Sequence, residues 1–250
     1  MTNVLGIITA RGGSSRVPRK NIKDFLGKPL MAWSIEVGKE SSVLDRFILS
    51  TEDEEIADVG RSLGVEVPFL RPAEFAQDAS SSFDPVKHAY EWMRDNSGFD
   101  ASSIILLEPP APGRQPSHIR EVVERIGRDD VDSVLGITEL SSQYHPEKIV
   151  KKDTENMLMR YHDGKLIRES IKRSQEFSKL YFPNASIYAF KPANFYKDPP
   201  SLWGDRVYGY EMEAKYAFDI DTPDDWVIAE IKMRRLLDEK AGSSARSTSL

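Results

Sequence analysis

The feature that most limits the possible folds is the alternation of short apolar segments with longer helix-like ones along the first 138 residues. Val4–Thr9 reads VLGIIT and leads into a glycine-rich loop, which is typical of a buried strand. Further strands are predicted at Arg46–Ser50, Glu66–Leu70, Ser103–Leu107 and Ser133–Thr138, and helices at Pro29–Lys39, Glu52–Leu63, Phe83–Arg94 and Pro116–Ile126. Strands that alternate with helices form a parallel sheet covered by helices, so we predict an α/β, Rossmann-like fold with a mostly parallel sheet.

The second half of the chain breaks this rhythm. Residues 140–182 are polar and charged, and we interpret them as an insertion or arm. A strand at Ala185–Phe190 and a helix at Pro223–Leu237 follow. We therefore expect one domain over residues 1–239 and a disordered tail at 240–250.

Composition excludes several functional classes. The chain has no cysteine and only four scattered histidines, so any metal must be held by oxygen ligands. A formal net charge of -6 argues against nucleic acid as a partner. No long apolar run and no secretion signal are evident, so we expect a cytoplasmic, soluble protein without a membrane partner.

The first segment with chemical content is Ala10–Asn21, ARGGSSRVPRKN, which follows the first predicted strand. Its glycines allow close approach of the backbone to a ligand, and exposed N–H groups can face phosphate oxygens. Positive charge comes from Arg11, Arg16, Arg19 and Lys20. The segment fits a triphosphate, although it matches neither the P-loop nor the dinucleotide pattern. The alternative is a solvated basic loop.

A second segment, Phe218–Trp226, reads FDIDTPDDW. If it is a strand end, Asp219 and Asp221 lie on one side and Ile220 points into the core. Two carboxylates on one face repel unless a cation lies between them, and oxygen ligands favour Mg²⁺. The alternative is a helix start with Thr222 or Asp221 as N-cap, which leaves Asp219 unexplained.

A third segment, Arg71–Ser82, reads RPAEFAQDASSS. Arg71 and the serine run Ser80–Ser82 offer donors and acceptors that suit the edge of a nucleobase. The same serines, placed ahead of a predicted helix, are equally typical of helix capping.

A fourth segment, Leu106–Arg114, reads LLEPPAPGR and leaves a predicted central strand. Glu108 lies at the carboxyl end of that strand, where open α/β sheets bind their ligands. A surface turn made rigid by three prolines is the alternative.

Taken in order, these segments resemble the acylneuraminate cytidylyltransferases, the family of CMP-sialic acid synthetases and their legionaminic and pseudaminic acid relatives. The resemblance covers almost the whole chain and rests on Ala10–Asn21, Gly27–Glu36, Ser50–Asp78, His145–Lys148, Pro183–Tyr188 and Asp219–Trp226. It implies a three-layer nucleotidyltransferase fold with a dimerisation arm inserted late in the chain. It also implies CTP and an acidic sugar as substrates, Mg²⁺ as cofactor, and a homodimer or homotetramer.

The resemblance also implies roles for individual residues. Catalytic roles fall to Arg11, Lys20 and Asp221, and the metal ligands are Asp219 and Asp221. Nucleotide binding is implied for Ala10, Arg11, Gly12, Asn21, Arg71, Ser80 and Ser82. Sugar binding is implied for Glu108, Lys148, Arg173 and Gln175, the last two across a subunit boundary.

The chain departs from the family pattern at two places of interest. Relatives usually read LLQPTSPLR and PNGAIY where this chain has LLEPPAPGR and PNASIY, so Glu108 replaces a glutamine and Ala185 a glycine. Other functions remain open: a nucleotidyltransferase for another NTP or sugar, a non-catalytic binding relative, or a glycosyltransferase with a DxD-like pair.

Overall fold

A six-stranded sheet forms the centre of the computed structural model, which describes residues 3–76, 82–169 and 177–247, the last five by backbone alone. Its strands are β1 (Val4–Thr9), β2 (Arg46–Ser50), β3 (Ser103–Leu106), β4 (Ser133–Glu139), β7 (Tyr181–Phe190) and β8 (Val207–Glu211). The two remaining strands, β5 (Val150–Lys152) and β6 (Leu158–Arg160), form a second sheet. The strand order in the main sheet is β2-β1-β3-β7-β4-β8. Only β7 runs antiparallel to its neighbours, which confirms the predicted mostly parallel sheet.

Helices cover both faces of the sheet. They are α1 (Leu30–Ser41), α2 (Glu54–Ser62), α3 (Phe83–Ser97), α4 (Pro116–Ile126) and α5 (Pro223–Ser247). Alternate residues of β3 enter different cores: Ile105 joins the core under α1 and α4, whereas Ile104 joins the core under α3. Because successive strand residues point to opposite faces, these two cores lie on opposite sides of the sheet. The three layers predicted from sequence are therefore present.

Two differences from the predicted strands have physical reasons. Glu66–Leu70 is not a strand, since only Glu66 makes a bridge, to Ile48 of β2. Pro68 has no N–H to donate to a ladder, so pairing does not continue. Strand β8 was not predicted, because VYGYE is short and largely exposed at the sheet edge and lacks a clear apolar face.

The final helix also differs from its predicted extent. It runs through Ser247 where the sequence predicts an end at Leu237 and a disordered tail from 240. Residues 236–241 are mostly strong helix formers without glycine or proline, so nothing stops the helix at Leu237. No helix within the described ranges is long and apolar enough to cross a membrane.

Between β4 and β7 the chain leaves the main sheet. We call residues 140–180 the arm. It contains short 3₁₀ turns and the two-stranded antiparallel sheet of β5 and β6, apart from the six-stranded one. Strand β7 begins at Tyr181, four residues before the predicted Ala185, so the arm ends slightly earlier than the predicted insertion.

Candidate active site

A cavity of about 360 Å³ opens where β1 and β3 end. It is lined by Thr9, Arg11, Ser14, Ser15, Arg16, Val17, Lys20, Asn21, Arg71, Phe75, Ala76, Ser82, Pro85, Glu108, Pro110, Asp219 and Asp221. Apart from Thr9 and Pro85, these residues come from the four segments that the sequence singles out. The carboxyl ends of parallel strands are where open α/β sheets bind ligands, so the cavity is the candidate active site.

The basic loop is tied to the aspartate segment across the cavity. The Lys20 ammonium donates to the carbonyl oxygen of Ile220 at 2.7 Å and to Asp221 Oδ1 at 3.2 Å. The Asn21 side chain donates to the carbonyl oxygen of Arg11 at 3.0 Å. These bonds hold the cationic groups in a fixed arrangement before any ligand arrives.

Arg19 does not join the other basic residues of the loop. Its backbone is left-handed, with φ of 55°, and its guanidinium pairs with Asp53 and Glu55 at the start of α2. Asp53 also caps α2 by accepting from the N–H of Ile56 at 3.0 Å. Arg19 therefore does not line the cavity, and its guanidinium holds the pKa of Asp53 below its usual value.

Glu52 connects the basic loop to Arg71, a role that the sequence did not indicate. One carboxylate oxygen accepts from the N–H of Gly12 at 2.7 Å, and the other accepts from Arg71 Nη2 at 2.6 Å. The Arg71 side chain is only 3% exposed, so Glu52 compensates a nearly buried charge. The available signal was an acidic residue two positions after the end of a strand, β2, beside the phosphate loop.

The two aspartates face the cavity as predicted, although their segment is not a strand. Asp219 and Asp221 both line the cavity, while Ile220 is completely buried in the core formed by Phe218 and Trp226. Asp219, Ile220 and Asp221 belong to neither a helix nor a strand of the sheet. The alternation alone, which turns neighbouring side chains in opposite directions, accounts for the correct prediction.

The helix start next to the aspartates is also present. Thr222 Oγ1 accepts from the N–H of Asp225 at 3.2 Å, and Asp225 accepts from the N–H of Thr222 at 2.8 Å. This reciprocal capping leaves Asp219 and Asp221 free of any capping role. The helix-start interpretation is therefore confirmed, and the metal role of Asp219 and Asp221 stays a prediction that this capping leaves open.

The electrostatics of the aspartates suit a cation. Asp221 lies 3.3 Å from Arg16 as well as next to Lys20, and burial together with the charge of Asp221 raises the pKa of Asp219. Among the residues that the structure describes, no cluster of three or more acidic or histidine side chains could hold a metal. Mg²⁺ commonly takes one or two carboxylates and completes its shell with phosphates and water, so this pair fits Mg²⁺ in the presence of a nucleotide.

Glu108 and Ser82 meet on another wall. Ser82 Oγ donates to Glu108 Oε1 at 3.4 Å and makes no capping bond to α3, so the capping alternative for Ser82 is not what the structure shows. Burial and the neighbouring Asp219 raise the pKa of Glu108. An ionised Glu108 would therefore be costly here without a donor or a cation beside it.

Arg114 holds the backbone of Glu108 in place, a role that the sequence did not indicate. It is completely buried, donates to Ser34 Oγ at 3.1 Å, and donates to the backbone carbonyl oxygen of Glu108. Burial lowers the pKa of Arg114 to about 10. An arginine at the end of an apolar strand and proline turn was the available signal.

Comparison with known proteins identifies the family of the chain. A profile of the family described as Cytidylyltransferase matches residues 5–237. The chain belongs to this family.

Curated relatives agree with this membership. The pseudaminic acid cytidylyltransferase of Campylobacter jejuni is 30% identical over 228 residues, which cover 91% of this chain and 94% of the relative. The CMP-N,N'-diacetyllegionaminic acid synthase of Legionella pneumophila is 30% identical over 240 residues, covering 91% and 94%. The N-acylneuraminate cytidylyltransferase of Streptococcus agalactiae is 29% identical over 223 residues, 88% of this chain, but the chain spans only 51% of that relative's length.

Solved structures confirm the nucleotidyltransferase fold. CMP:2-keto-3-deoxy-manno-octonic acid synthetase, complexed with CTP, superposes with a TM-score of 0.69 at 18% identity, over 94% of this chain and 99% of that one. A 4-diphosphocytidyl-2C-methyl-D-erythritol synthase from Anaerococcus prevotii gives 0.64 at 11% identity, over 93% and 96%. At these identities the likeness concerns the fold alone.

Not every predicted site residue lies at the cavity. Ala10 is buried and bonds to Ser50 of β2, and Gly12 lies behind the lining, with its N–H on Glu52. Lys148 is exposed on the arm, with its ammonium 5.6 Å from the centre of the Phe177 ring. Three predicted residues lie outside the described residues: Ser80, Arg173 and Gln175.

Proposed function

We propose that the chain is an enzyme that transfers CMP from CTP to the anomeric hydroxyl of an acidic nine-carbon sugar, of sialic, legionaminic or pseudaminic acid type, and releases pyrophosphate. Membership of the cytidylyltransferase family supports the reaction class. The names of the relatives from Campylobacter jejuni and Legionella pneumophila, which match over nearly their whole length, support this class of sugar.

The observation that carries this proposal is the convergence of four distant segments on one cavity. The basic loop, Arg71 with Ser82, Glu108, and the Asp219–Asp221 pair all line it. A cytidylyltransferase needs cations for a triphosphate, polar groups for a base, and a metal position near the α-phosphate. The residue types that line the cavity are suited to all three of these needs.

Recognition of CTP divides between two parts of the cavity. Arg11, Lys20 and Asn21 are suited to the triphosphate, because they combine positive charge with donors on a fixed loop. Arg71 and Ser82 are suited to the cytosine edge. The Nε of Arg71 is buried and has no hydrogen-bond partner among the described residues, which supports a role in binding a ligand.

In the reaction, the anomeric hydroxyl of the sugar loses its proton to water and its oxygen forms a bond to the α-phosphorus, while the bond from that phosphorus to the pyrophosphate oxygen breaks. Arg11 and Lys20 stabilise the negative charge of the departing pyrophosphate. Asp219 and Asp221 would hold Mg²⁺, which would supply positive charge to offset the charge of the phosphates. Positioning and charge compensation carry most of such a reaction, so no covalent intermediate with the protein is needed.

The acceptor sugar contacts Glu108 and residues of the arm, namely Lys148, Arg173 and Gln175. Because Lys148 lies outside the cavity of its own chain, we assign it, with Arg173 and Gln175, to the cavity of a second copy. The arm exposes large apolar side chains, among them Tyr144, Met157 and Tyr161. Such a surface is suited to burial in a homodimer or homotetramer.

The test measures pyrophosphate release with Mg²⁺ from CTP, ATP, GTP and UTP in separate reactions, each with sialic, legionaminic, pseudaminic or 3-deoxy-octulosonic acid. Release with one of the nine-carbon acids is expected. Release only with ATP, GTP or UTP would refute the cytosine assignment. If CTP binds but no acid causes release, the chain is a non-catalytic relative or uses a different sugar.

A further inference from the structure

Phe75 lines the cavity and has no role in the function described so far. It is the only aromatic side chain among the described residues that form the lining. It lies on the short 3₁₀ turn Ala73–Ala76, four residues after Arg71, and is half-buried. Its N–H donates to the carbonyl oxygen of Pro72 at 3.0 Å, which fixes the turn that carries the ring.

A row of rings supports Phe75 on the side of α3. The Phe75 ring packs against His88 with centroids 5.5 Å apart, and His88 packs edge-on against Phe69 at 4.9 Å. Phe69 in turn contacts Trp92 at 5.2 Å. Because its position depends on this row, the Phe75 ring is held at the cavity rather than free to turn into solvent.

The lining contains two unlike groups of residues, one on and near the segment that carries Phe75 and one on the basic loop. Arg71 and Ser82 are polar, and Ala76 and Pro85 are apolar. The cationic loop residues belong to a different segment, which is tied to Asp221. A nucleobase needs an apolar flat surface beside donors for its edge, whereas a triphosphate needs cations.

We propose that the Phe75 ring is the surface on which the nucleobase of CTP stacks, while Arg71 and Ser82 bind the edge of the base. This inference rests on the proposed function, because it takes CTP as the ligand. Under this proposal Phe75 contacts the base of CTP, and it contacts neither the triphosphate nor the reacting atoms.

The test compares binding of CTP and of inorganic tripolyphosphate, both with Mg²⁺, to the full-length wild type and to Phe75→Ala and Phe75→Tyr. Loss of base stacking on an aromatic ring is expected to weaken CTP binding of Phe75→Ala about tenfold. Tripolyphosphate binding should stay unchanged, and Phe75→Tyr, which keeps a ring, should restore CTP binding. Tyr196→Leu, an exposed aromatic residue outside the cavity lining, serves as the control with wild-type affinity.

Three results would distinguish a failure of the stacking role from a failure of the proposed function. Equal CTP affinity of Phe75→Ala and the wild type would overturn the stacking role. Equal weakening of CTP and tripolyphosphate would also overturn it, because a general disturbance of the site would then explain the loss. A wild type that binds tripolyphosphate and not CTP would instead refute the proposed function, and this inference with it.

Discussion

The residues that form the walls of the cavity and those of the arm differ in whether their side chains find partners within the chain. In the walls, charged side chains pair within the chain, as Arg71 does with Glu52 and Lys20 with Asp221. On the arm, large apolar side chains face solvent, with Met157 63% and Tyr161 62% exposed. The cavity is therefore organised by contacts within the chain, whereas the exposed apolar side chains of the arm gain most from being covered.

The largest expected effect tests the cavity walls. Asp221→Ala removes a proposed metal ligand and the partner of Lys20, so turnover should fall about 100-fold or more while the fold is retained. Steady-state rates of pyrophosphate release and a circular dichroism spectrum measure the two quantities. Asp224→Ala, on the exposed first turn of α5, is the matched control and should keep its activity. Magnesium-dependent turnover that survives in Asp221→Ala would contradict the assignment.

The second prediction asks whether pairing in the walls matters for stability. Glu52→Ala leaves the nearly buried Arg71 charge uncompensated, and we expect a loss of about 3 kcal/mol in the free energy of unfolding. Urea denaturation measures it. Glu55→Ala, which breaks a pair with Arg19 at the surface, should cost less than about 1 kcal/mol. Equal costs would show that the walls depend no more on internal pairing than the surface does.

The third prediction concerns the arm. Met157→Glu places a charge in the exposed apolar surface, and association between copies should weaken at least about tenfold. Sedimentation velocity over a range of concentrations measures it. The control is Ile231→Glu, an exposed apolar position on α5, which should leave association unchanged. If the two variants associate equally, the arm is not the interface.

The smallest expected effect lies in β7, the strand that follows the arm. Ala185, just inside β7, has a φ of 54°, a conformation that costs an L-residue about 1 kcal/mol or more. Ala185→Gly should therefore raise the free energy of unfolding by about 1 kcal/mol. Thermal melting measures it. Ala189→Gly in the same strand, at a buried position with ordinary φ, should lower stability instead.

The sequence predicts most of the parallel sheet because β1 and β3 are uninterrupted apolar runs with polar turns after them. It fails at β8, an exposed edge strand whose pairing with β4 depends on tertiary contact alone. It also fails at residues 66–70, where apolar composition outweighed the effect of Pro68.

The site was predictable where chemistry and spacing coincide, and less so where a side chain has several possible partners. The alternation of Asp219 and Asp221 around Ile220 determines their direction. The direction of Arg19 does not follow from its place in a basic loop, because its left-handed backbone and the nearby Asp53 turn it away. Glu52 and Arg114 were missed for the same reason, since each acts by supporting a neighbour.

The antiparallel direction of β7 has a consequence for how such proteins can diversify. Glu139 at the end of β4 lies opposite Tyr181 at the start of β7, and Leu140 bonds to Leu180 just beyond. In topological terms the whole arm is the loop of one long hairpin. A hairpin loop can be shortened, lengthened or exchanged without changing the threading of the sheet, since closing a longer loop costs little. The arm can thus be exchanged as one unit, and under the proposed function an exchanged arm would give the same sheet a different partner.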